Sequence, residues 1–305
     1  MGRYLLKRVF AAGGVMAALV TLVFLAAFVI GDPLSLQYDP ELNTEAELAE
    51  LRAALGYDRP LAEQFGDYLG GLLRGDLGRS VTQRRAATEV VLDRLPATAL
   101  LASTATAIAM ALAIPLALLS ARRPGWIDQS ITTVCTAFAS LPSFWFALAL
   151  VFVFAARVSW LPTGGYGGPR ELVLPAIALA AVPLGHMTLL LASTMRAEFG
   201  SQYVTVARAK GLGEWKLSLR HVLPNASLVL ATQVGFLLAT LLSGTVLIET
   251  VFAWPGLGSL GLEAVQQRDL PLVMATVIYI GAIVIAINLV VDLAYARLDP
   301  RVRLA

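Results

Sequence analysis

The chain has 305 residues, of which 57% are hydrophobic and only 14% are charged. Soluble globular domains carry about 25% charged residues, so this composition excludes a purely soluble protein and indicates a chain whose main solvent is the lipid bilayer. The net charge of +2 gives no support for nucleic-acid binding.

Six long stretches of the sequence lack charged residues, and each exceeds the ~20 residues that a helix needs to cross the hydrocarbon layer. Such continuous apolar runs are typical of helices, because barrel strands show alternating segments of about 10 residues. The first run is too long for the core of a secretory signal peptide, so we expect a retained span. We predict six transmembrane helices, near 9–30, 96–120, 131–156, 172–194, 226–248 and 271–294.

The distribution of Lys and Arg predicts the orientation. With the N-terminus inside, the inner segments hold thirteen Lys and Arg residues, whereas the two short outer loops hold three. The long loop 31–94 has little weight in this comparison. The chain is therefore predicted to be a multi-pass membrane protein that is N-in and C-in.

The first outer loop, 31–94, is predicted to fold as a small helical domain. Thr44 and Glu47 form a capping box for a helix over 44–56. A second helix is expected over 60–73, with Phe65, Tyr68, Leu69 and Leu72 on its packed face. The glycines of RGDLGRS, at 74–80, indicate a turn. The sequence leaves two interpretations open, a solvated cap and a docking surface.

Several residues in the predicted spans have alternative interpretations. Pro115, Pro142, Pro175 and Pro183 are expected to kink helices, although proline is common in membrane helices. Glu249 and Asp292 lie at predicted span ends, where ionisable groups can reach water.

The sequence lacks the motifs of an ATPase or a metalloenzyme. It contains neither GxxxxGK[ST] nor HExxH, and it has only two histidines, so no metal site is predicted. His186 and Ser193 share a span but form no nucleophile–base pattern. The GxGxxG at 256–261 lies between two predicted spans, so we interpret it as a tight turn before a short outer helix and not as a dinucleotide site.

The cytoplasmic segment 203–225, YVTVARAKGLGEWKLSLRHVLPN, is predicted to form a helix, a break at Gly211 and Gly213, and a second helix. Val206, Ala209 and Leu212 fall on one stripe of the first helix. The second helix is expected to carry an apolar face opposite its basic residues; the apolar residues are Trp215, Leu219, Val222 and Leu223. An amphipathic loop on anionic lipid explains the charges. It leaves the small residues before the break unexplained, and these indicate close approach of another protein.

This segment resembles the EAA loop of permease subunits of ATP-binding-cassette importers. Ala207, Gly211 and Leu223-Pro224 match the family spacing, while Thr205 replaces the usual Glu, as in the peptide branch. Further similarity to the first permease subunit of dipeptide, oligopeptide and nickel systems covers the whole length. The matching stretches are LGYDRPLAEQFGDYL (55–69), GDLGRS (75–80), LPATALLA (95–102), LPSFW (141–145), LPTGG (161–165), ETVFAWPGLG (249–258), RDLP (268–271) and LDPRVR (298–303).

The resemblance implies an all-α membrane protein of a prokaryotic cytoplasmic (inner) membrane, with six transmembrane helices and the type I importer permease fold. Its parts are the first span 1–30, an extracytoplasmic helical domain 31–94, and a five-span core 95–305 with a coupling loop at 195–225. The implied partners are a second permease subunit, two ATPase subunits or one fused ATPase, and an extracytoplasmic substrate-binding protein. MgATP would be bound and hydrolysed by those ATPases, so this chain would hold no cofactor and would not be an enzyme.

The resemblance assigns residues to ATPase coupling, and polar residues in the spans and outer loops give further candidates. The expected ATPase-coupling residues are Tyr203, Val204, Thr205, Ala207, Arg208, Ala209, Lys210, Gly211, Leu212 and Pro224. Candidates for the translocation pathway are Ser140, Ser143, Ser243, Thr245 and Asn288, the last of which could equally join two helices. Candidates for docking of the binding protein are Asp76, Arg79, Trp254 and Arg268.

The sequence does not name the ligand: dipeptides, oligopeptides, nickel chelates, glutathione and sugars remain open. The alternative function is a self-contained secondary transporter, although neither inverted repeats nor paired broken helices are evident. An intramembrane enzyme is the third hypothesis.

Overall fold

A computed structural model describes residues 2–30, 53, 58–227 and 245–298, and these residues are helical or form short connections. The long helices are α1 (Gly2–Ile30), α3 (Ala87–Arg122), α6 (Pro169–Phe199) and α10 (Leu270–Leu298). All four are long and apolar enough to cross a membrane. They correspond to the first, second, fourth and sixth predicted spans, although α3 begins at Ala87, nine residues before the predicted start.

Shorter helices connect or flank these four. They are α2 (Leu61–Leu73), α4 (Trp126–Ser140), α5 (Ser143–Leu150, continued by a π-helix over Val151–Arg157), α7 (Gln202–Ala209), α8 (Glu214–Leu217, continued by a π-helix over Ser218–Val222) and α9 (Leu257–Gln266). The predicted fifth span is described only at its two ends, where 223–227 and 245–251 are helical. The predicted helix 44–56, apart from Ala53, lies outside the described residues.

The predicted third span, 131–156, is interrupted at Pro142, one of the prolines that were expected to kink a helix. Helices α4 and α5 meet at a bend of 103°, so the pair forms either one broken span or a re-entrant loop. Pro142 has no N–H to donate to Phe138, and Leu141 before it is extended, with φ −74° and ψ 133°. In contrast, Pro115, Pro175 and Pro183 lie inside continuous helices.

Helices α3 and α6 form the centre of the structure and pack against each other more extensively than any other pair of described elements. On α3, small and apolar residues recur every fourth position and are almost completely buried; they are Ala97, Leu101, Ala105, Ala109, Ala113 and Ala117. This spacing places them on one face of the helix. Small side chains let helix backbones approach closely, which is how membrane helices associate.

Helix α1 packs along α10, and the ion pair between Arg8 and Asp292 links the two helices at 3.0 Å. The predicted packed face of α2 is confirmed, because Phe65, Tyr68, Leu69 and Leu72 contact the hydrophobic core. The glycine turn after α2 is also present, with positive φ at Gly75 and Gly78. The second outer-loop helix and its turn were therefore correctly placed from sequence.

Gly185 provides a test of the close packing between α6 and α4. A Cβ at this position would lie 2.4 Å from the carbonyl oxygen of Cys135 and 2.9 Å from the backbone N of Ala139. Gly185→Ala must push the helices apart, and we expect a loss of about 1–3 kcal/mol in stability. The measurement is the thermal unfolding midpoint of the purified protein in detergent.

The matched control is Gly13→Ala in α1, where an added Cβ has no described atom within 4 Å. This substitution should leave the midpoint unchanged or raise it, because alanine favours the helix. Equal midpoints for both variants would contradict the close contact at Gly185.

Candidate functional site

The predicted helix, break and helix of the 203–225 segment are confirmed by α7, the turn at 210–213 and α8. Gly211 has φ +81°, a left-handed conformation that glycine adopts without strain. Its N–H donates to the carbonyl of Arg208 at 3.0 Å and so ends α7. The chain therefore reverses at the glycine that the sequence singled out.

An ion pair spans this turn. Arg208 Nε donates to Glu214 Oε1 at 2.6 Å, and Arg208 Nη2 donates to Glu214 Oε2 at 3.3 Å. The hydrogen bond from Arg208 lowers the pKa of Glu214 below its usual value of 4.5. The pair links the end of α7 to the start of α8 across the turn.

A second set of hydrogen bonds joins the beginning of the segment to its end. Tyr203 donates to Glu198 at the end of α6 (2.5 Å), and Asn225 Nδ2 donates to the Tyr203 hydroxyl at 3.0 Å. Burial of Tyr203, followed by its bond to Glu198, raises the pKa of the phenol. Val204 and Ala226, which follow these two polar residues, are both fully buried. The separate YV and NA motifs therefore form one contact.

The predicted coupling residues divide into an anchored set and an exposed set. Val204 is fully buried, and Ala207 and Leu212 are half-buried. The others are exposed; they are Tyr203, Thr205, Arg208, Ala209, Lys210, Gly211 and Pro224. Val206 is 53% exposed, so the first helix of the segment presents an apolar surface to its surroundings.

The apolar face predicted for the second helix is partly wrong, because Val222 and Leu223 are buried or half-buried but Trp215 and Leu219 are not. Trp215 and Leu219 are 61% and 42% exposed, whereas Leu217 and Val222 are fully buried. The cause is the π-helix over Ser218–Val222, in which i→i+5 bonding aligns residues five positions apart. The prediction used the 3.6-residue period of an α-helix.

The N-terminal part of α3 carries a buried polar site that the sequence did not predict. Glu249 was expected to reach water, but it is fully buried. Its carboxylate accepts hydrogen bonds from Thr98 Oγ1 (2.8 Å) and from the N–H of Ser259 (2.8 Å). Thr98 Oγ1 in turn accepts from the N–H of Leu257 at 2.7 Å. We call Thr98, Glu249, Leu257 and Ser259 the Glu249 junction.

The Glu249 junction lies at the N-terminus of α9, where a negative charge is stabilised by the free N–H groups and the helix dipole. Gly256 precedes the helix, and a Cβ there would lie 2.1 Å from Glu249 Oε1. The GxGxxG motif thus begins a short helix as predicted, and its first glycine makes room for the carboxylate. The signal that could have indicated this was an acid shortly before a glycine-rich helix start.

Among the predicted docking residues, Asp76, Arg79 and Arg268 are exposed, whereas Trp254 is 1% exposed. Trp254 Nε1 donates to the carbonyl of Ala97 at 2.9 Å. Next to Arg268, the buried Asp269 accepts from Ser80 Oγ at 2.6 Å and from Thr82. This carboxylate fastens the 74–86 turn to the start of α10 and brings the exposed candidates onto adjoining loops.

The predicted pathway residues lie at different depths. Ser140 is exposed and Ser143 is half-buried, and the two flank the bend between α4 and α5. Thr245 is fully buried, and Asn288 is exposed on α10. Ser243 lies outside the described residues. Ser140 and Ser143 lie on either side of one bend, whereas Thr245 and Asn288 lie on other helical segments of the described chain.

Comparison with known proteins identifies the family. Residues 113–304 match the family described as binding-protein-dependent transport system inner membrane component, and residues 1–102 match the family of its N-terminal part. The chain belongs to this family of inner membrane permease components. The resemblance inferred from the sequence is therefore confirmed.

Relatives match over nearly the whole length. A putative peptide permease protein of Brucella suis biovar 1 is 36% identical, with 99% of each chain covered. The oligopeptide transport system permease protein AppB of Bacillus subtilis is 32% identical, again over 99% of each chain. The probable D,D-dipeptide transport system permease protein DdpB of Escherichia coli is 34% identical over 94% of each.

The fold resembles that of a chain in the inward-facing MetNI methionine ABC transporter, with a TM-score of 0.59 at 18% identity. The similarity covers 69% of this chain and 96% of the other. At this identity the comparison establishes the fold alone, which is that of an importer permease.

The ion pair across the Gly211 turn generates a prediction. Glu214→Gln removes the charge that Arg208 binds, so we expect faster amide hydrogen exchange in residues 208–217 at neutral pH. Because the pKa of Glu214 is lowered in the folded protein, the wild-type contribution is present above about pH 4.5 and is lost as the pH falls through the lowered pKa. Hydrogen exchange measured by mass spectrometry checks both statements.

The control is Lys210→Gln, which removes an exposed charge in the same turn. It should leave exchange in the segment unchanged. If both variants exchange alike at neutral pH, the ion pair does not stabilise the turn.

The Glu249 junction generates a second prediction. Thr98→Val removes the hydroxyl that donates to Glu249 and accepts from Leu257, and leaving buried polar groups unpaired costs about 1–3 kcal/mol. We expect a lower thermal unfolding midpoint. Thr106→Val is the control, because the buried Thr106 hydroxyl donates to the Ala102 carbonyl of its own helix. Its midpoint should stay close to that of the wild type, and an equal loss in both variants would contradict the junction.

Proposed function

We propose that this chain is the permease subunit of an ATP-driven importer for peptides or related small ligands, and that the 203–225 segment transmits the motion of an ATPase to the membrane helices. The observation that carries the proposal is the construction of this segment. It is held internally by the Arg208–Glu214 pair, bonded to α6 through Tyr203, and exposed along Val206 and Ala209.

The distribution of charges supports the placement of this segment in the cytoplasm. Thirteen Lys and Arg residues lie on the proposed inner side, against three in the short outer loops. With this orientation the six spans are N-in and C-in, and 31–94 forms an extracytoplasmic helical domain between the first span and the five-span core. The 203–225 segment then faces the compartment that contains ATP.

The proposed partners follow from the family. A second permease subunit completes the pathway, two ATPase subunits or one fused ATPase bind and hydrolyse MgATP, and a substrate-binding protein delivers the ligand from outside. This chain is then non-hydrolytic and needs no cofactor of its own. The peptide ligand is supported by the printed names of the relatives, which are permeases of peptide systems.

The mechanism requires the segment to move as one body. The ATPases must bind ATP more tightly in one conformer, because a ligand shifts an equilibrium only by its differential affinity. The Tyr203–Glu198 bond connects the start of the segment to α6, and the Tyr203–Asn225 bond connects it to the chain that follows. A displacement of α7 is therefore passed to two spans at once, which favours concerted opening and closing.

The bend between α4 and α5 is the proposed part of the pathway. Pro142 leaves the carbonyl of Phe138 without its usual helix donor, and Ser140 and Ser143 flank the bend. In membrane transporters, interrupted helices bring backbone polar groups to a substrate route.

Asp76, Arg79 and Arg268 are the proposed contacts for the binding protein. The buried Trp254 packs beneath the loops that carry them.

The coupling proposal is tested by Ala209→Glu. Ala209 is exposed at the end of α7, so the substitution should preserve insertion and folding while placing a carboxylate in the ATPase contact. We expect ATP-driven peptide uptake to fall at least about tenfold, which corresponds to about 1.4 kcal/mol of lost coupling. Uptake into vesicles and the amount of ATPase subunit that copurifies are measured together.

Ala197→Glu on the last turn of α6 is the matched control. Ala197 is also exposed, and although it lies in the 195–225 loop it precedes the 203–225 segment proposed to contact the ATPase. It should retain uptake. Wild-type uptake by fully inserted Ala209→Glu would overturn the coupling assignment, and a wild-type chain that transports without any ATPase would favour the secondary transporter.

A further inference from the structure

We propose that the second helix of the 203–225 segment binds the headgroup of an anionic phospholipid of the inner leaflet. The site is a shallow groove, called the Trp215 groove, and it rests on the proposed cytoplasmic placement of the segment. Its lining residues are Gly213, Glu214, Trp215, Lys216, Leu219 and Arg220.

The groove exposes apolar surface beside cations. The π-helix turns Leu217 and Val222 into the core, which leaves Trp215 and Leu219 at 61% and 42% exposure. Lys216 and Arg220 are exposed next to them. A large aromatic ring and a leucine beside two long cationic side chains form the composition that binds at the boundary between headgroups and acyl chains.

The charge of the groove is positive because its one carboxylate is already paired. Glu214 accepts two hydrogen bonds from Arg208 on the other side of the turn. Among the described residues, neither Lys216 nor Arg220 forms an ion pair. Arg122 adds a third cation, since its guanidinium carbon lies 5.2 Å from the centre of the Trp215 ring. The occupant that complements this arrangement is an anion.

The position of the groove relative to the bilayer indicates that the anion is a lipid headgroup. Arg122 is the last residue of α3, a 36-residue helix that is long and apolar enough to span the bilayer. The charge-free run 95–121 of this helix ends at Arg122, which marks the membrane surface on the proposed inner side. The contact between Arg122 and the Trp215 ring places Trp215 at the same level. Trp126, at the start of α4 and 77% exposed, adds a second aromatic ring near this end of α3. Aromatic and basic residues at this level are typical of the interface.

The groove is separate from the surface proposed for the ATPase. The exposed apolar part of that surface lies on α7, around Val206 and Ala209, and no residue assigned to ATPase coupling lines the groove. The Trp215 groove lies after the turn, on the side toward Arg122 and the end of α3. Attraction of Lys216 and Arg220 to the negatively charged inner leaflet would hold the second helix of the segment against the bilayer. The first helix would meanwhile contact the ATPase.

The test compares bound lipid in purified complexes. The complete importer is prepared with wild-type chain or with Lys216→Gln/Arg220→Gln, reconstituted in phosphatidylcholine with added phosphatidylglycerol, and extracted for native mass spectrometry. Loss of two cations near the surface should weaken retention of phosphatidylglycerol by about 30-fold. Retention of phosphatidylcholine and the amount of ATPase subunit should stay at wild-type values.

The control variant, Arg59→Gln/Arg74→Gln, removes two exposed cations from the proposed outer side. Phosphatidylglycerol retention that is unchanged in the Lys216/Arg220 variant, or that falls equally in the control, overturns the proposal. Loss of the ATPase at unchanged lipid retention also overturns it and assigns the groove to a protein contact. Failure of the wild-type chain to copurify with any ATPase would instead contradict the proposed function.

Trp215→Ala distinguishes the groove from simple charge attraction. It keeps both cations and removes the ring that Arg122 stacks on, so phosphatidylglycerol retention should fall. Trp126→Ala is the comparison variant and should retain more phosphatidylglycerol than Trp215→Ala. Wild-type retention in Trp215→Ala would show that the groove does not form the site.

Discussion

The buried carboxylate of Glu249 is the constraint on which one end of this structure depends. A charge without solvent must be surrounded by donors, and here they come from α3 through Thr98 and from the N-terminus of α9 through Ser259. The position of α9 relative to α3 is therefore fixed by hydrogen bonds of defined direction, which apolar contacts alone would not fix. The requirement extends to Gly256, where any side chain would collide with the carboxylate.

Hydrogen bonds at Glu249 and at other buried positions bring together motifs that are far apart in the sequence. LPATALLA and ETVFAWPGLG meet in the bonds from Thr98 to Glu249 and from Trp254 to Ala97. LPTGG joins them through the N–H of Gly165, which donates to the carbonyl of Phe252 at 2.8 Å. GDLGRS and RDLP meet where Ser80 donates to Asp269. Each of these motifs supplies one partner of a hydrogen bond whose other partner lies in a different motif.

Elements that depend on local composition were predicted correctly from the sequence. Predictions of side-chain burial and helix period were wrong where they depend on contacts with distant residues. Charge-free runs located α1, α3, α6 and α10, and glycine located the turn at Gly211. The burial of Glu249 was missed because span ends normally reach water, and its partner Thr98 lies 151 positions away. Trp215 was assigned to the wrong face because a π-helix changes the period. Pro142 and Pro115 look alike in sequence, yet only Pro142 follows an extended residue.

In the proposed mechanism, α3 connects the Trp215 groove to the Glu249 junction and transmits motion between them. Thr98 and Arg122 are 24 positions apart on one continuous helix, so the Glu249 junction and the Trp215 groove are separated by roughly 36 Å, at 1.5 Å per residue. Helix α3 is rigid between them because its buried face interlocks with α6. A displacement of the 203–225 segment that moves α6 must therefore move the Glu249 junction with it. In the proposed mechanism, bending is left to the 103° break between α4 and α5, where the proposed pathway residues Ser140 and Ser143 lie.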